Sequence, residues 1–305
     1  MPPFSNPLLG MAASRIACVN CGYTAAIRHF TFDNLSLTVP RVGNTTIEAC
    51  LAMYTVIDRL DDFKCRYCTL SATLAKIKSD IAHSKADLAE LGESPKKAKR
   101  LAAAIEKLAK QQKEVEDALA NNPEADLKGV PLVSPPPGVS TKQTMVARTP
   151  RILVLHLSRS IFLPTGDTMK NPARVRLQLL LDMSPFTTTG HISTNASKPI
   201  SGPDTSSGLF AANALADAQR NNCLYRLCAV VVHAGTHHSG HFYAYRRIPT
   251  SGCASNGGAV HSAAKPQPLS DPGQWFRISD IDTTEVSLDT VLSAGDAYML
   301  FYERL

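Results

Sequence analysis

Two Cys-x-x-Cys pairs contain the residues of this sequence whose spacing most clearly favours metal binding. Cys18 and Cys21 form the first pair, with Gly22 directly after it, and Cys65 and Cys68 form the second. Each pair can offer two thiolates to one metal ion from a tight turn, which a trailing glycine permits. A single pair would also fit a redox motif, and paired free thiols or disulfides are the alternatives for four cysteines. We expect one zinc ion held by all four thiolates, and a structural one, because no coordination position stays open.

A histidine beside a glycine-bounded turn is the second group that could do chemistry. The segment YRLCAVVVHAGTHHSGHFYAY runs from Tyr225 to Tyr245 and contains an apolar strand candidate, then Gly235, Gly240 and His241. A strand that runs into a tight turn holds an imidazole rigidly, and the glycines leave room for a substrate backbone to pass. A general base in nucleophilic catalysis needs that setting.

Neighbouring histidines in the same segment offer an alternative, which is a second metal site. Its ligands would be His233, His237, His238 and His241. The lack of a nearby cysteine ligand and the distance of the carboxylates along the sequence favour the general base.

Strand and helix signals predict the framework that positions both groups. Residues 27–39 alternate loosely around a turn candidate at Asp33-Asn34, and Thr46 is a predicted N-cap for the helix IEACLAMY. Later strand candidates are RILVLHLSRSIF, VRLQLLLDM, LYRLCAVVVHA, HFYAYRRI, WFRIS and AYMLFYERL. Segments 186–222 and 249–273, which are rich in Ser, Thr, Gly, Asn and Ala, are predicted to be flexible loops.

Residues 69–126 differ in kind and are predicted to form an inserted coiled-coil hairpin. Apolar residues follow a heptad spacing over 70–91 and again over 96–120. Ser94 and Pro95 mark the restart, because proline is favoured at the first helical position. Each helix of roughly 20 residues would be about 30 Å long. We interpret the hairpin as a solvated antiparallel pair with a narrow apolar seam, and docking of a protein partner is the alternative.

Composition excludes several classes of protein. The formal net charge is +6, but much of the Lys excess lies between Lys76 and Lys113, which indicates a solvated helix face rather than a nucleic-acid site. Apolar runs stop well short of the roughly 18 residues of a membrane span, and the N-terminus lacks the pattern of a signal peptide. We therefore expect a cytoplasmic or nuclear location, where cysteines stay reduced.

The histidine segment resembles the histidine box of ubiquitin-specific proteases, the ubiquitin carboxyl-terminal hydrolase family, with Phe242 where the family usually has Tyr. The segment WFRISD, which ends at Asp280, is similar to the family segment that orients this histidine. Further segments similar to family landmarks, in family order, are FDNLSLTVP, IEACL, the two cysteine pairs, TPRILVLHLSR, VRLQLLLDMSPF and AYMLFYER. The chain thus resembles the C-terminal part of the catalytic domain of a fungal-like member, over residues 1–305 except the hairpin and the two loops.

The resemblance implies roles for individual residues. His241 would be the general base, Ser279 its orienting residue, and Asp280 the competing assignment for that second role. The residues implied to contact the substrate are Gly235, Gly240 and Tyr243. The implied reaction is thiol-dependent hydrolysis of the bond after the C-terminal glycine of ubiquitin. The implied partners are ubiquitin and ubiquitinated proteins, without nucleic acid. The implied fold is α+β, a papain-like palm of antiparallel sheet with zinc-ribbon fingers and the inserted antiparallel hairpin.

The family's cysteine box, a turn of the form GNxCxxN, has no counterpart in the sequence. Cys50 lies in a predicted helix, Cys228 in the strand before the histidine, and Cys253 in a predicted loop. The segment NNC that ends at Cys223 resembles the box only superficially, because a strand rather than a helix follows it. We expect the nucleophile and the N-terminal helical thumb to be missing, as in a fragment or truncated gene model, and the chain alone to be inactive. The alternative is a non-catalytic ubiquitin-binding scaffold.

Overall fold

Two β-sheets and a pair of long helices make up most of the described chain. The computed structural model describes residues 6–25, 27–90, 95–188, 193–196, 198–201, 222–250 and 271–305. The helices are α1 (Ile47–Tyr54), α2 (Arg66–Glu90), α3 (Pro95–Asn121) and α4 (Leu288–Leu292), with a 3-10 turn at Ser184–Phe186. The first strands are β1 (Gly10–Cys18), β2 (Arg28–Phe32), β3 (Leu35–Thr38), β4 (Asn44–Thr46), β5 (Asp58–Phe63), β6 (Gly138–Arg148), β7 (Ile152–Ser158) and β8 (Ser160–Phe162). The later strands are β9 (Thr168–Lys170), β10 (Arg174–Arg176), β11 (Leu180–Asp182), β12 (Leu224–Gly235), β13 (Gly240–Ile248), β14 (Gln274–Ser279), β15 (Asp282–Val286) and β16 (Ala297–Arg304). None of the described helices is both long enough and apolar enough to span a bilayer.

The large sheet contains most of the strands that the sequence predicts. Its order is β15-β14-β13-β12-β16-β7-β3, with β11 also paired to β12. Neighbours run antiparallel except β3 and β7, which are parallel. Its buried face packs against α1 and includes Leu155, Leu300 and the fully buried Trp275. Burial of these apolar side chains is the main force that holds β12 and β13, and hence His241, in place.

Helix α1 confirms the predicted cap. The side-chain oxygen of Thr46 accepts a hydrogen bond of 3.2 Å from the backbone N–H of Ala49. Ile47, Cys50 and Leu51 are fully buried against the large sheet. An N-cap of this kind satisfies a backbone donor that the helix leaves free, so the sequence signal and the structure agree.

Two predicted strands are interrupted in the structure. The run RILVLHLSRSIF breaks into β7 and β8 at Arg159, whose buried guanidinium donates to the carbonyls of Gly295, Ala297, Asn171 and Ala173. The run VRLQLLLDM forms β10, which pairs in parallel with β4, and β11, which joins the large sheet. A buried arginine that satisfies four carbonyls explains the first break, because continuous strand pairing there would compete for the same acceptors.

The small sheet has the order β2-β1-β6-β5 and was not predicted as a unit. Its β1 contains a fully buried arginine, Arg15, whose guanidinium donates to the carbonyls of Ser193 and Lys198. These bonds tie the described parts of the predicted loop 186–222 to β1. Most of the remainder of that loop, and residues 251–270 of the loop 249–273, lie outside the described residues.

Helices α2 and α3 pack on each other as an antiparallel hairpin. Their seam buries Leu70, Ile77, Ile81, Val115 and Ala118. The Lys78 ammonium, at the middle of α2, lies 3.0 Å from the Glu116 carboxylate in the last third of α3. Helix α2 begins at Arg66, four residues before the predicted start, and α3 begins at Pro95 as predicted, whereas Ser94 lies outside the described residues.

Side-chain contacts at the base of the hairpin join its two ends to each other and to the residue that follows the first cysteine turn. Arg66 donates to the carbonyls of Pro123 (3.2 Å) and Ala125 (2.8 Å), just after α3 ends. Tyr23, which follows the first cysteine pair, donates to the carboxylate of Glu124 at 3.1 Å. Its ring stacks on that of Tyr67 at 5.6 Å. The hairpin therefore rises from the end of the small sheet that carries the cysteines.

Candidate metal centre and candidate active site

The four predicted metal ligands meet at one end of the small sheet. Cys18 ends β1, and the backbone N–H of Gly22 bonds back to its carbonyl at 3.0 Å. Gly22 has φ +73°, a conformation that glycine adopts without steric cost, so the tight turn returns Cys21 toward Cys18. Cys65 precedes α2 and Cys68 lies in its first turn, so the second pair is held by a helix start.

The sulfur positions fit a tetrahedral metal ion. The Cys18 and Cys68 sulfurs are 3.9 Å apart, the Cys21 and Cys65 sulfurs are 3.5 Å apart, and all four lie within 4.8 Å of one another. Four Zn–S bonds of about 2.3 Å place tetrahedral sulfurs roughly 3.8 Å apart. The donor set and its spacing therefore match zinc. Among the described residues, these four are the only group of three or more metal-ligating side chains brought this close.

The thiols of the second pair resist ionisation without a cation. Burial raises the pKa of Cys65 to about 11, and burial together with the neighbouring cysteines also raises the pKa of Cys68. A divalent cation at the centre of the four sulfurs would favour the thiolates, so metal binding there would release protons.

The candidate general base lies at the start of β13. Ala234 of β12 faces His241, and Gly235 faces Gly240, at the closed end of the β12–β13 hairpin. The side chain of His241 is about half exposed, at 49%. Adjacent strand residues point to opposite faces, so Tyr243 lies on the same face as His241 and Phe242 on the other. The Tyr243 ring is covered by the Arg277 guanidinium at 4.5 Å.

The β14–β15 hairpin brings both candidate orienting residues to this imidazole. Nε2 of His241 lies 2.8 Å from the hydroxyl oxygen of Ser279, a hydrogen-bonding distance. The same nitrogen lies 3.6 Å from a carboxylate oxygen of Asp280, whose side chain is 77% exposed. Ser279 pairs with Asp282 across a two-residue turn, in which Asp280 has φ +49°. The geometry thus distinguishes a direct hydrogen bond from Ser279 and a longer, solvent-exposed approach by Asp280.

The other nitrogen of the imidazole is open. No described residue hydrogen-bonds Nδ1 of His241. With Nε2 engaged by Ser279, Nδ1 is the nitrogen available to accept a proton from an approaching group. The 2.8 Å distance fits either tautomer, because the serine hydroxyl can donate or accept, and Nδ1 is the acceptor in the tautomer that places the proton on Nε2.

The turn before His241 is too tight for side chains at its glycines. Gly235 has φ +134°, and a Cβ there would collide with the Ser239 carbonyl. A Cβ on Gly240 would collide with the Ala234 carbonyl and the His233 ring. Both glycines are therefore required by the close approach of the two strands.

A pocket of about 500 Å³ lies on the face of the large sheet opposite His241. It is lined by His156, Lys170, His233, His237, His238, Phe242 and Tyr298, among others, without a carboxylate among the described lining residues. Burial lowers the pKa of His156 and, with Lys170 nearby, that of His233, so both favour the neutral form. The alternative second metal site is not formed, because no three of these histidines bring ligand atoms together within the described residues.

Of the described cysteines outside the metal centre, Cys50 and Cys223 are buried and Cys228 is partly buried. Burial raises the pKa of Cys50 and Cys223, and raises that of Cys228 to about 11. A nucleophilic cysteine needs the opposite shift. Cys223 lies just before β12, eleven residues from Ala234, or roughly 35 Å along an extended strand. Cys253 lies outside the described residues.

The sequence is similar to known proteins along most of its length. The family model described as "ubiquitin carboxyl-terminal hydrolase" matches residues 3–302. Ubiquitin carboxyl-terminal hydrolase 16 of Emericella nidulans is 29% identical over 79% of this chain and 31% of its own length. Ubiquitin carboxyl-terminal hydrolase 30 of Rattus norvegicus is 27% identical over 98% of this chain and 54% of its own length. The chain thus spans between a third and about half of the length of these relatives.

Solved structures show the same fold at lower identity. The SAGA Ubp8/Sgf11/Sus1/Sgf73 DUB module bound to ubiquitin aldehyde matches with a TM-score of 0.53 and 18% identity, over 98% of this chain and 41% of that chain. The Ubp8-Sgf11-Sgf73-Sus1 SAGA DUB module matches with a TM-score of 0.51 and 17% identity, over 98% and 40%. At such identities the likeness concerns the fold alone.

Proposed function

Because the chain belongs to the ubiquitin carboxyl-terminal hydrolase family, we propose that it carries the general-base half of a thiol-dependent ubiquitin hydrolase. The bond cleaved would follow the C-terminal glycine of ubiquitin. The observation that carries this proposal is the 2.8 Å contact between His241 Nε2 and the Ser279 hydroxyl, which leaves Nδ1 open.

In the proposed mechanism a thiolate attacks the carbonyl carbon of the scissile bond. The Nδ1 nitrogen of His241 takes the thiol proton and later delivers it to the leaving amine. With the proton on Nε2, Ser279 would accept a hydrogen bond from it and so hold the tautomer in which Nδ1 is the base. Asp280, at 3.6 Å and largely exposed, would add a weaker electrostatic contribution to the imidazolium.

The substrate tail would pass the tight turn before His241. Gly235 and Gly240 keep the two strands close, and no side chain at either position obstructs an extended peptide. Tyr243, on the same face as His241, would line that path with its ring braced by Arg277. These contacts suit the narrow, extended C-terminus of ubiquitin better than a folded segment.

The sheets then correspond to the parts of the family fold. The large sheet would be the palm and the small sheet the fingers, with zinc held by Cys18, Cys21, Cys65 and Cys68. That ion would supply only structural cohesion, because four thiolates leave no site for water or substrate. The α2–α3 hairpin, within 69–126, would be an insertion in the fingers, and it would offer a surface to a protein partner.

The nucleophile would come from a helical thumb that this sequence does not provide. The buried thiols with raised pKa values support this part of the proposal, as does the lack of a GNxCxxN turn. A base without a nucleophile cannot form the acyl-enzyme, so the 305-residue chain should not turn over substrate by itself.

Turnover of a ubiquitin C-terminal fluorogenic amide tests this function. The chain alone should show no turnover, and addition of a family thumb domain with its cysteine, fused or in trans, should restore it. His241→Ala in the restored enzyme should lower kcat by at least about a thousandfold, since the base and nucleophile act as a unit. His29→Ala, on the exposed β2 strand, is the matched control and should have no effect. Turnover by the unassisted chain that Cys223→Ala removes would contradict the proposal.

A non-catalytic role as a ubiquitin-binding scaffold is the second candidate. The same buried thiols favour it, because binding needs only the sheets. Ubiquitin binding measured by calorimetry, without turnover after the thumb is supplied, would select this role.

A further inference from the structure

Lys170 makes a pair of contacts with the turn before His241 that the proposed mechanism does not use. It is the last residue of β9, and its ammonium donates to the carbonyl oxygens of His233 (2.5 Å) and Gly235 (3.2 Å). Both carbonyls belong to the last three residues of β12, so the ammonium links the end of that strand to β9.

The position of these carbonyls explains why they need a partner. In an antiparallel ladder alternate carbonyls point to opposite sides of the strand, so those of His233 and Gly235 point away from β13. Along most of β12 that side is paired with β16, but the β12–β16 pairing ends at Val232 and Ala297. Lys170 therefore supplies, to the carbonyls of His233 and Gly235, the hydrogen-bond donor that β16 supplies along the rest of β12.

The backbone next to Lys170 is held by buried hydrogen bonds. The next residue, Asn171, is 3% exposed, and its amide nitrogen donates to the Val39 carbonyl at 2.9 Å. The backbone N–H of Asn171 also donates to the Arg159 carbonyl at 2.6 Å. Lys170 thus connects the turn to a residue that is buried and hydrogen-bonded to other parts of the chain.

The same turn fixes the start of β13. Gly235 pairs with Gly240, and Ala234 pairs with His241, so a displacement of the β12 end moves the backbone of His241 directly. The imidazole of His241 contacts Ser279 and Asp280 of the β14–β15 hairpin, and β14 pairs with β13 only from Ala244 onward, three residues after His241. Its distance to Ser279 therefore depends on where the turn is held.

We propose that Lys170 is a positioning residue, whose ammonium holds the β12–β13 turn and thereby sets the distance between His241 and Ser279. The catalytic part of this inference rests on the proposed function, whereas its mechanical part does not. The two bonded carbonyls lie near the surface, so water can replace the ammonium in a variant. Loss of Lys170 should accordingly loosen the turn with little effect on global stability.

Hydrogen exchange of the full chain tests the mechanical part. In Lys170→Met the amides of 234–241 should exchange about tenfold faster, and the His241 imidazole signals in nitrogen-15 spectra should show loss of the Ser279 hydrogen bond. Lys170→Arg, which keeps the donors, should restore most of the protection. Lys142→Met, an exposed lysine of β6, is the matched control and should leave both measurements unchanged. Wild-type exchange and wild-type imidazole signals in Lys170→Met would overturn the proposal.

Kinetics with an added thumb domain test the catalytic part. Lys170→Met should lower kcat about tenfold with KM changed by less than about twofold, because a misplaced base slows the chemical step without weakening binding. A raised KM with unchanged kcat would instead make Lys170 a substrate contact and overturn its positioning role. If no turnover is obtained with any variant, the proposed function fails, while the exchange result still decides whether Lys170 holds the turn.

Discussion

The metal centre and the His241 cluster differ in how complete they are. At the metal centre, two segments far apart in sequence bring four sulfurs within 4.8 Å of one another, and no ligand position is left over. At His241, two neighbouring hairpins bring together an imidazole and a hydroxyl at 2.8 Å, and one ring nitrogen faces outward. At the metal centre the chain supplies all four ligands. At His241 the ring nitrogen Nδ1 is left without a partner among the described residues, on the side where a proton would be transferred.

This difference separates a stabilising site from a reactive one. When four cysteine sulfurs fill all the coordination positions of an ion, none is left for substrate. Such a site changes only the free energies of folding and metal binding. An open base is useful only when another group approaches it, so its effect is seen in rates. The two sites should therefore respond to different perturbations and be measurable independently in one chain.

Removal of one sulfur should have the largest effect. Cys65→Ser should lose the zinc ion and with it a binding free energy of roughly 10 kcal/mol or more, the scale of structural zinc in small sites. Metal content by atomic emission and hydrogen exchange over β1 and the first turns of α2 report this loss. The His241 imidazole signals should stay unchanged if the two sites are independent.

Cys228→Ala provides the control for that measurement. It removes a thiol of the large sheet and should retain one zinc ion per chain. Full metal occupancy in Cys65→Ser would refute the four-cysteine assignment, and a simultaneous change at His241 would show that the two sites are coupled.

Alkaline pH should produce the next largest effect, on the large sheet. Burial raises the pKa of Cys228 from 9.0 to about 11 and that of Tyr225 from 10.0 to about 12. Between pH 9 and 12 the unfolded chain therefore loses these protons before the native chain does, and the free energy of unfolding falls as pH rises. Each group accounts for at most roughly 2.7 kcal/mol.

Urea unfolding followed by tryptophan fluorescence measures this fall, since Trp275 is the single tryptophan and is fully buried in the large sheet. Cys228→Ala should flatten the decline between pH 9 and 11, and an unchanged slope in that variant would refute the assignment. The metal centre should behave in the opposite sense, because acid protonates its thiolates and releases the ion.

The two candidate orienting residues should give the smallest effects, and unequal ones. In the enzyme completed by a thumb domain, Ser279→Ala should lower kcat about a hundredfold, because the Nε2 hydrogen bond that fixes the tautomer is lost. Asp280→Asn should lower it less than about threefold, because a charge at 3.6 Å with 77% exposure is screened. The reverse order of the two effects would transfer the orienting role to Asp280.

Short-range patterns were sufficient to predict much of both sites. The Cys-x-x-Cys spacing predicts that each pair lies on one turn. Gly235 and Gly240 predict a tight hairpin before His241. Lys170 could not be found in this way. Its contacts join residues more than sixty positions apart in sequence, and a lysine in a short polar strand has no local pattern that predicts its partners.

Three strands of the small sheet, β1, β5 and β6, were missed for a related reason, whereas β2 lies in the predicted alternating stretch 27–39. Strand β1 is alanine-rich and buries Arg15, while β5 contains three aspartates, so neither shows the alternation of large apolar residues that identifies a strand. Strand β6 follows a proline-rich stretch that predicts a linker. Strands β7, β12 and β16 of the large sheet contain runs of large apolar residues that identify them locally, whereas the small sheet depends on long-range contacts such as that of Arg15 with Ser193.

Because Cys68 lies in the first turn of α2, the geometry of the four sulfurs is coupled to the orientation of that helix. Helix α2 has 25 residues, and a rise of 1.5 Å per residue makes it about 37 Å long. A rotation of about 10° at that first turn would displace the far end of a helix of this length by about 6 Å. An ion held by the four sulfurs would therefore fix the direction in which the far end of the hairpin points.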